Sequence, residues 1–283
     1  MASVGIFSLF APTAIAQDSS RVSGPVAQVY ATIDGVALKA HVFRPRQPKR
    51  KELLSAIVLF HGGGWSIGDP AWAFGRAEHF AARGMVAVAA QYRLSNQSTI
   101  TPLEAMADAR AVIRWMRANA ASLGIDPSRI AAYGWSAGAH LAISAAIFDD
   151  STSRETISAA PNALIMVSPA VDLENDQWPQ QLLGSRANVS TISPVSHVRK
   201  GLPPTVILQG NVDTVTPLAG AQLFCDRMRA AGNRCELNVY QGVGHLFTPA
   251  GIRDDGMPQP DPKVQAEALR KADEFLVSLG FIK

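Results

Sequence analysis

The segment "AAYGWSAGAHLA", residues 131–142, carries Ser136 with a glycine two positions before it and another two positions after. A serine hydroxyl is a weak nucleophile at neutral pH, so it needs a base within reach and a group that orients the base. Both follow in chain order. "VILQGNVDTVTP" sets Asp213 just past one buried apolar run, and "NVYQGVGHLF" sets His245 just past the next. Serine, carboxylate and imidazole at successive strand ends are the equipment of acyl transfer through a covalent serine intermediate. Taken singly, each has a plainer reading: a small-residue turn, a loop cap and a surface histidine.

"FHGGGWSIGD" supplies what that chemistry still lacks. Three consecutive glycines carry an entropic cost that a stable fold ordinarily avoids. They let backbone N–H groups approach a bound oxygen. Together with the N–H of Ala137 they make an oxyanion hole, in which each donor contributes about 3 kcal/mol to transition-state stabilisation.

The elements that must hold these residues can be read from the hydrophobic pattern. "AQVYATI" and "LKAHVFRP" flank Asp34-Gly35, a hairpin dipeptide. "LSAIVLF" (54–60) is a buried strand leading into the glycines. "AWAFGRAEHFAARG" reads as a helix and "MVAVAAQYRL" as the next strand. A long helix runs from Pro102 to Gly124, and then "DPSRIAAYGWSAG" gives strand, tight turn and the helix "AHLAISAAIF". The alternation continues through "NALIMVSPA", a polar and proline-rich insertion at about 172–200, "PPTVILQG", "PLAGAQLFCDRMRAAG", "CELNVYQG" and a final amphipathic helix. The expected fold class is therefore α/β: a doubly wound, mostly parallel sheet with an N-terminal antiparallel hairpin.

With 283 residues, 47% apolar and 17% charged, the chain has enough aliphatic content for one large domain, expected over residues 21–283. The net charge of +3 is mild. The basic run "RPRQPKRK" reads as a solvated loop rather than a polyanion site, since it has prolines and no interleaved aromatics, so no nucleic-acid partner is expected. Val4–Ala14 is too short to span a bilayer, and "AIA" before Gln17 resembles a signal-peptidase site, although no basic residue precedes the apolar run. Residues 1–16 are thus expected to be a leader, and the protein to be secreted or periplasmic, with no membrane partner. Cys225 falls in a helix that turns back onto the strand opened by Cys235. A disulfide between them is expected in an oxidising compartment; two buried thiols are the alternative. The histidines lack metal-ligand spacing and the glycine loop lacks a phosphate-binding lysine, so no metal or other cofactor is expected.

From about Val36 onward the chain resembles the α/β-hydrolase fold. It is most similar to the group of hormone-sensitive-lipase-like esterases and bacterial acetyl-xylan and feruloyl esterases. The resemblance rests on "HGGGW", "QYRLS", "DARAVIRWMRANAASLGIDPSRIAAYGWSAGAHLA", "SPVSHV", "GNVDTVTP" and "GVGH". It implies Ser136 as nucleophile, His245 as general base and acid, Asp213 as the orienting carboxylate, and Gly63, Gly64 and Ala137 as oxyanion donors. The chain departs from the pattern at Trp135 and Ala139 in "GWSAGAH" and at Gln91 in "QYRL", and it has no N-terminal cap helices. A minimal cap formed by the 172–200 insertion leaves an open site. That favours a short acyl group, acetyl in particular, on a bulky alcohol such as plant cell-wall carbohydrate, in a small-molecule or polysaccharide ester. Trp65, Trp135 and Trp178 are candidates to stack on such a substrate, with a buried structural role as the alternative. Asp172 and Asp176 read as loop caps or as a second acid pair. A feruloyl or general carboxylesterase, a serine exopeptidase and a non-catalytic binding module are the other readings.

Overall fold

Asp34 and Gly35 take φ values of 50° and 79° and turn the chain from β1 (Val22–Ile33) into its antiparallel partner β2 (Val36–Pro45). Positive φ at both central residues is the condition for a tight turn that matches the twist of the strands. The structure, a computed structural model, describes residues 22–46, 53–96, 99–148, 156–253 and 256–283. The leader expected at 1–16 lies outside the described residues, as does most of the basic run after Arg46. Within that run, Arg44 and Arg46 donate to the carbonyls of Leu123 and Val22.

Six further strands follow: β3 (Leu54–Phe60), β4 (Val86–Ala90), β5 (Ile125–Trp135), β6 (Ala163–Val167), β7 (Thr205–Gly210) and β8 (Cys235–Tyr240). The sheet runs in the order β1-β2-β4-β3-β5-β6-β7-β8 and is parallel from β4 to β8. The chain steps outward from β3 to β4, then returns across β3 to lay down β5. Loops leaving β3 and β5 therefore diverge and open a crevice at the carboxyl edge, where ligands bind in sheets of this kind.

Strand alternation sorts the core into two layers. Ala56, Val58 and Phe60 of β3 pack in the layer of α2 (Pro102–Ala118), α4 (Ala137–Ile147) and α6 (Leu218–Ala230), with Ile113, Met116, Leu141 and Phe224. Ile57 and Leu59 face α1 (Phe74–Ala82) and α7 (Pro262–Ser278), with Phe80, Phe275 and Leu276. A strand buried on both faces reads as a continuous apolar run, which is why "LSAIVLF" contains no polar alternation.

Three elements differ from the sequence reading. The helix expected from Pro102 to Gly124 breaks at Asn119, and α3 (Ala120–Leu123) follows. There the Asn119 side chain and backbone both donate to the Trp115 carbonyl, the local competition that ends helices at Asn. The strand expected through Leu94 stops at Ala90, because Arg93 turns inward to a bidentate pair with Asp108 of α2. The 172–200 insertion contains α5 (Gln177–Leu183) and two single 3-10 turns. Cys225 of α6 and Cys235 of β8 are joined in a disulfide, their Cα atoms 5.5 Å apart.

Candidate active site

Ser136 stands between β5 and α4 with φ 53° and ψ −125°. For a residue with a side chain, that conformation is strained by about 1–3 kcal/mol. Close backbone approach enforces it. A Cβ on Gly134 would lie 2.3 Å from the Gly138 carbonyl oxygen, and one on Gly138 would lie 2.2 Å from that of Phe60. The flanking glycines thus let β5, α4 and the end of β3 meet. The Ser136 N–H donates to Val167 at the end of β6, and its carbonyl accepts from Ala139 and His140 in the first turn of α4.

His245 Nε2 lies 3.0 Å from Ser136 Oγ, and Nδ1 lies 3.0 and 3.2 Å from the two oxygens of Asp213. A carboxylate only accepts, so Nδ1 carries the ring proton and Nε2 turns its lone pair to the serine hydroxyl. Ser136, Asp213 and His245 are all nearly buried, which strengthens every interaction among them. The structure therefore brings together three residues that span more than a hundred positions of sequence.

Two residues that the sequence reading missed hold the carboxylate. Gln209 Nε2 donates to Asp213 Oδ2 at 3.0 Å, and Thr216 Oγ1 lies 3.0 Å from the same oxygen and 3.1 Å from His245 Nδ1. The N–H groups of Val215 and Thr216 donate to Oδ1. Gln209 left a signal: a buried polar residue inside "VILQG" must find partners. Thr216 left none beyond its place three residues after Asp213. Ser168 was also missed; its Oγ accepts from the Leu246 N–H beside His245. Among the described non-glycine residues with positive φ, Trp65, Ser136, Ser168, Leu246 and Phe247 all belong to this site.

The glycine loop after β3 is pinned through its carbonyls. Gly62 O accepts from His61 Nδ1 at 2.6 Å, and Gly63 O accepts from the N–H groups of Ser66 and Ile67. Gly64 O accepts from Trp178 Nε1 at 3.0 Å, and Trp65 O from the Ser95 N–H at 2.7 Å. In a trans peptide the N–H points away from the carbonyl. The N–H groups of Gly63 and Gly64 are therefore presented on the other side of the loop. Ala137 begins α4, so its N–H has no intrahelical acceptor, and the helix dipole there favours an anion. Burial holds the His61 imidazole below its usual range, keeping it neutral for its contact with Gly62.

The tryptophans separate. Trp65 is 2% exposed and its indole N–H goes to His140, so it offers no open face for a substrate. Trp135 is buried beneath the Arg76 guanidinium, 5.0 Å from its ring centre. These two positions depart from the stacking expectation because the rings fill the core behind the site. Trp178 of α5 is 39% exposed and stands over the glycine loop. Asp176 caps α5, accepting from the Trp178 N–H, and burial raises its pKa.

A cavity of about 380 Å³ adjoins the triad, lined by Asp172, Asn175, Asp176, Gln177, Thr214 and Thr216 among others. It meets the triad at Ala170, whose N–H lies 3.5 Å from the Ser136 carbonyl, and at Thr216. A wider hollow of about 620 Å³ lies at the opposite edge of the sheet, where Arg117 and Arg199 donate to backbone carbonyls.

The chain matches the BD-FAE family over residues 41–228. Esterase 2 of Thermogutta terrifontis phosphorylated by paraoxon superimposes with a TM-score of 0.79 at 38% identity, covering 91% of this chain and 95% of that one. The propionate-bound form of the Thermogutta terrifontis esterase gives 0.79 at 38%, over 92% and 96%. The isoprenylcysteine alpha-carbonyl methylesterase ICME of Arabidopsis thaliana is 27% identical over 234 residues, 73% of this chain and 54% of that protein. Esterase LipQ of Mycobacterium tuberculosis is 28% identical over 195 residues, 62% and 46%. The chain spans about half the length of the curated relatives it matches. An eight-stranded α/β sheet, a serine elbow at the end of β5 and these matches converge: the chain belongs to the BD-FAE family, among the esterases of the α/β-hydrolase fold.

Proposed function

We propose that this chain is a serine carboxylesterase for short acyl esters, with acetyl groups on plant cell-wall carbohydrate as the first substrate to test. The observation that carries the reading is the unbroken hydrogen-bonded chain from Ser136 Oγ through His245 to Asp213. Ser136 Oγ attacks the ester carbonyl as its proton passes to His245 Nε2. The N–H groups of Gly63, Gly64 and Ala137 receive the oxyanion. Collapse expels the alcohol, which takes the proton from His245 and leaves an acyl-serine. A water activated by His245 then releases the acid.

The adjoining cavity supports a polar alcohol half. Carboxylates at Asp172 and Asp176 and amides at Asn175 and Gln177 line it beside apolar walls at Leu173, Val215 and Pro217, a mixture suited to a sugar ring with its polar edges and apolar faces. The propionate seen on the Thermogutta terrifontis esterase supports a short acyl half. The Cys225–Cys235 bridge is consistent with an exported protein and so with an extracellular polymer as substrate.

Acetate release from acetylated xylan, measured beside p-nitrophenyl acetate and butyrate for wild type and Ser136→Ala, tests the proposal. Serine-dependent release from the polymer supports the carbohydrate substrate. Turnover of the small esters alone removes the carbohydrate and leaves a general carboxylesterase. If no ester turns over and a fluorophosphonate probe fails to label Ser136, the protein is a binding module.

A further inference from the structure

We propose that His140 is a positioning residue for the oxyanion loop, acting through Trp65; this rests on the serine esterase reading. His140 lies on α4, one turn beyond Ser136, with none of its surface exposed. Its Nε2 lies 2.8 Å from the Ile192 carbonyl oxygen, which can only accept, so that nitrogen carries the proton. Nδ1 is then a lone pair, and it receives the indole N–H of Trp65 at 3.3 Å with the rings edge-on. One neutral tautomer satisfies both contacts.

The contact matters because of what precedes Trp65. Gly63 and Gly64 have φ of 113° and 55°, a region where glycine has little preference of its own. Where their N–H groups point is therefore set by the bonds to the loop's carbonyls and by the anchor at its far end. Trp65 is such an anchor, itself at φ 61°, held at its carbonyl by Ser95 and at its indole by His140. Because His140 shares α4 with the Ser136 elbow, the bond references the oxyanion donors to the same helix that carries the nucleophile. Its other nitrogen secures the 172–200 insertion at Ile192, a separate job.

Two substitutions divide these jobs. In His140→Asn the amide oxygen falls near the Nδ1 position and still accepts from Trp65. In His140→Gln the amide nitrogen falls near Nε2 and keeps only Ile192. We measure kcat and KM on p-nitrophenyl acetate, with thermal unfolding alongside. His140→Asn retains kcat within about threefold, while His140→Gln loses about 10- to 100-fold in kcat with little change in KM. Trp65→Phe reproduces the Gln loss from the other partner, and the double variant loses little more. The proposal is overturned if Gln keeps kcat and Asn does not, or if kcat simply follows the unfolding temperature across all variants. A wild type with no turnover and no fluorophosphonate labelling overturns the esterase reading, and this proposal falls with it. Turnover in the wild type with equal Asn and Gln variants overturns this proposal alone.

Discussion

A methyl group on Gly138 would stand 2.2 Å from the carbonyl oxygen of Phe60 and 2.4 Å from that of His61. The first turn of the nucleophile's helix is therefore in backbone contact with the strand end that launches the glycine loop. This contact sets how near the serine's helix stands to the strand end from which the glycine loop departs. Gly138→Ala must force the two segments apart. We expect a loss of about 1–3 kcal/mol in stability, measured by urea denaturation, together with a fall in kcat exceeding that of any surface control of equal stability.

Asp213 holds His245 in one tautomer, and Thr216 with Gln209 holds Asp213. Asp213→Asn should reduce kcat by about 10³- to 10⁴-fold while leaving the fold intact. Thr216→Val should have a smaller effect, about tenfold, since the remaining donors still orient the carboxylate. Steady-state kinetics with circular dichroism as a folding control separates the two. Equal losses in both variants would contradict this ranking.

Paraoxon should inactivate the wild type and leave Ser136→Ala unlabelled. Intact-mass spectrometry reads the covalent adduct directly. An adduct on the alanine variant would place the nucleophile elsewhere.

Asp108 has no exposed side-chain surface and binds Arg93 through both oxygens, fixing the chain as it leaves β4. Asp108→Ala leaves a guanidinium without its partner. The expected loss is about 3 kcal/mol, read from chemical denaturation. A change below about 1 kcal/mol would mean that solvent replaces the carboxylate.

Burial of His140 lowers its pKa from 6.5 to about 4. Between those values the unfolded chain binds a proton that the folded chain refuses, so stability falls as pH drops through that window. Above 6.5 there is no effect, and below about 4 the loss levels off. At about 1.4 kcal/mol per unit, the loss amounts to about 3 kcal/mol. Denaturation at pH 7 and pH 4.5 should show it in wild type and show less of it in His140→Asn. A wild type equally stable at both would refute it.

The fold was legible because both of its periods are strong. β3, β4, β6 and β7 are continuous apolar runs, and α2 and α7 start at Pro after a capping residue. Asp213 was legible because it follows one of those runs, Ser136 because glycines flank it where β5 ends, and His245 because it comes just after β8. Thr216, Ser168 and His140 were not, since folding brings in the partners that mark them: the His245 ring for Thr216, the Leu246 N–H for Ser168, and the Ile192 carbonyl and Trp65 indole for His140. The three tryptophans could not be told apart in the sequence for a related reason. Large aromatics near a glycine loop look the same in sequence whether they face a substrate or pack behind it.

Several bonds tie the 172–200 insertion to the machinery of the sheet, among them Trp178 to Gly64, Ile192 to His140, and Arg186 to Glu104 of α2. Such a segment is not an interchangeable cover. Recombination that imports a relative's insertion brings a new occupant for the Gly64 carbonyl and a new neighbour for His140. A graft meant to alter the alcohol half would then reset the oxyanion loop as well. Substrate range in this chain should diversify by point changes facing the cavity, with whole-loop exchange surviving only where both attachment points are carried across together.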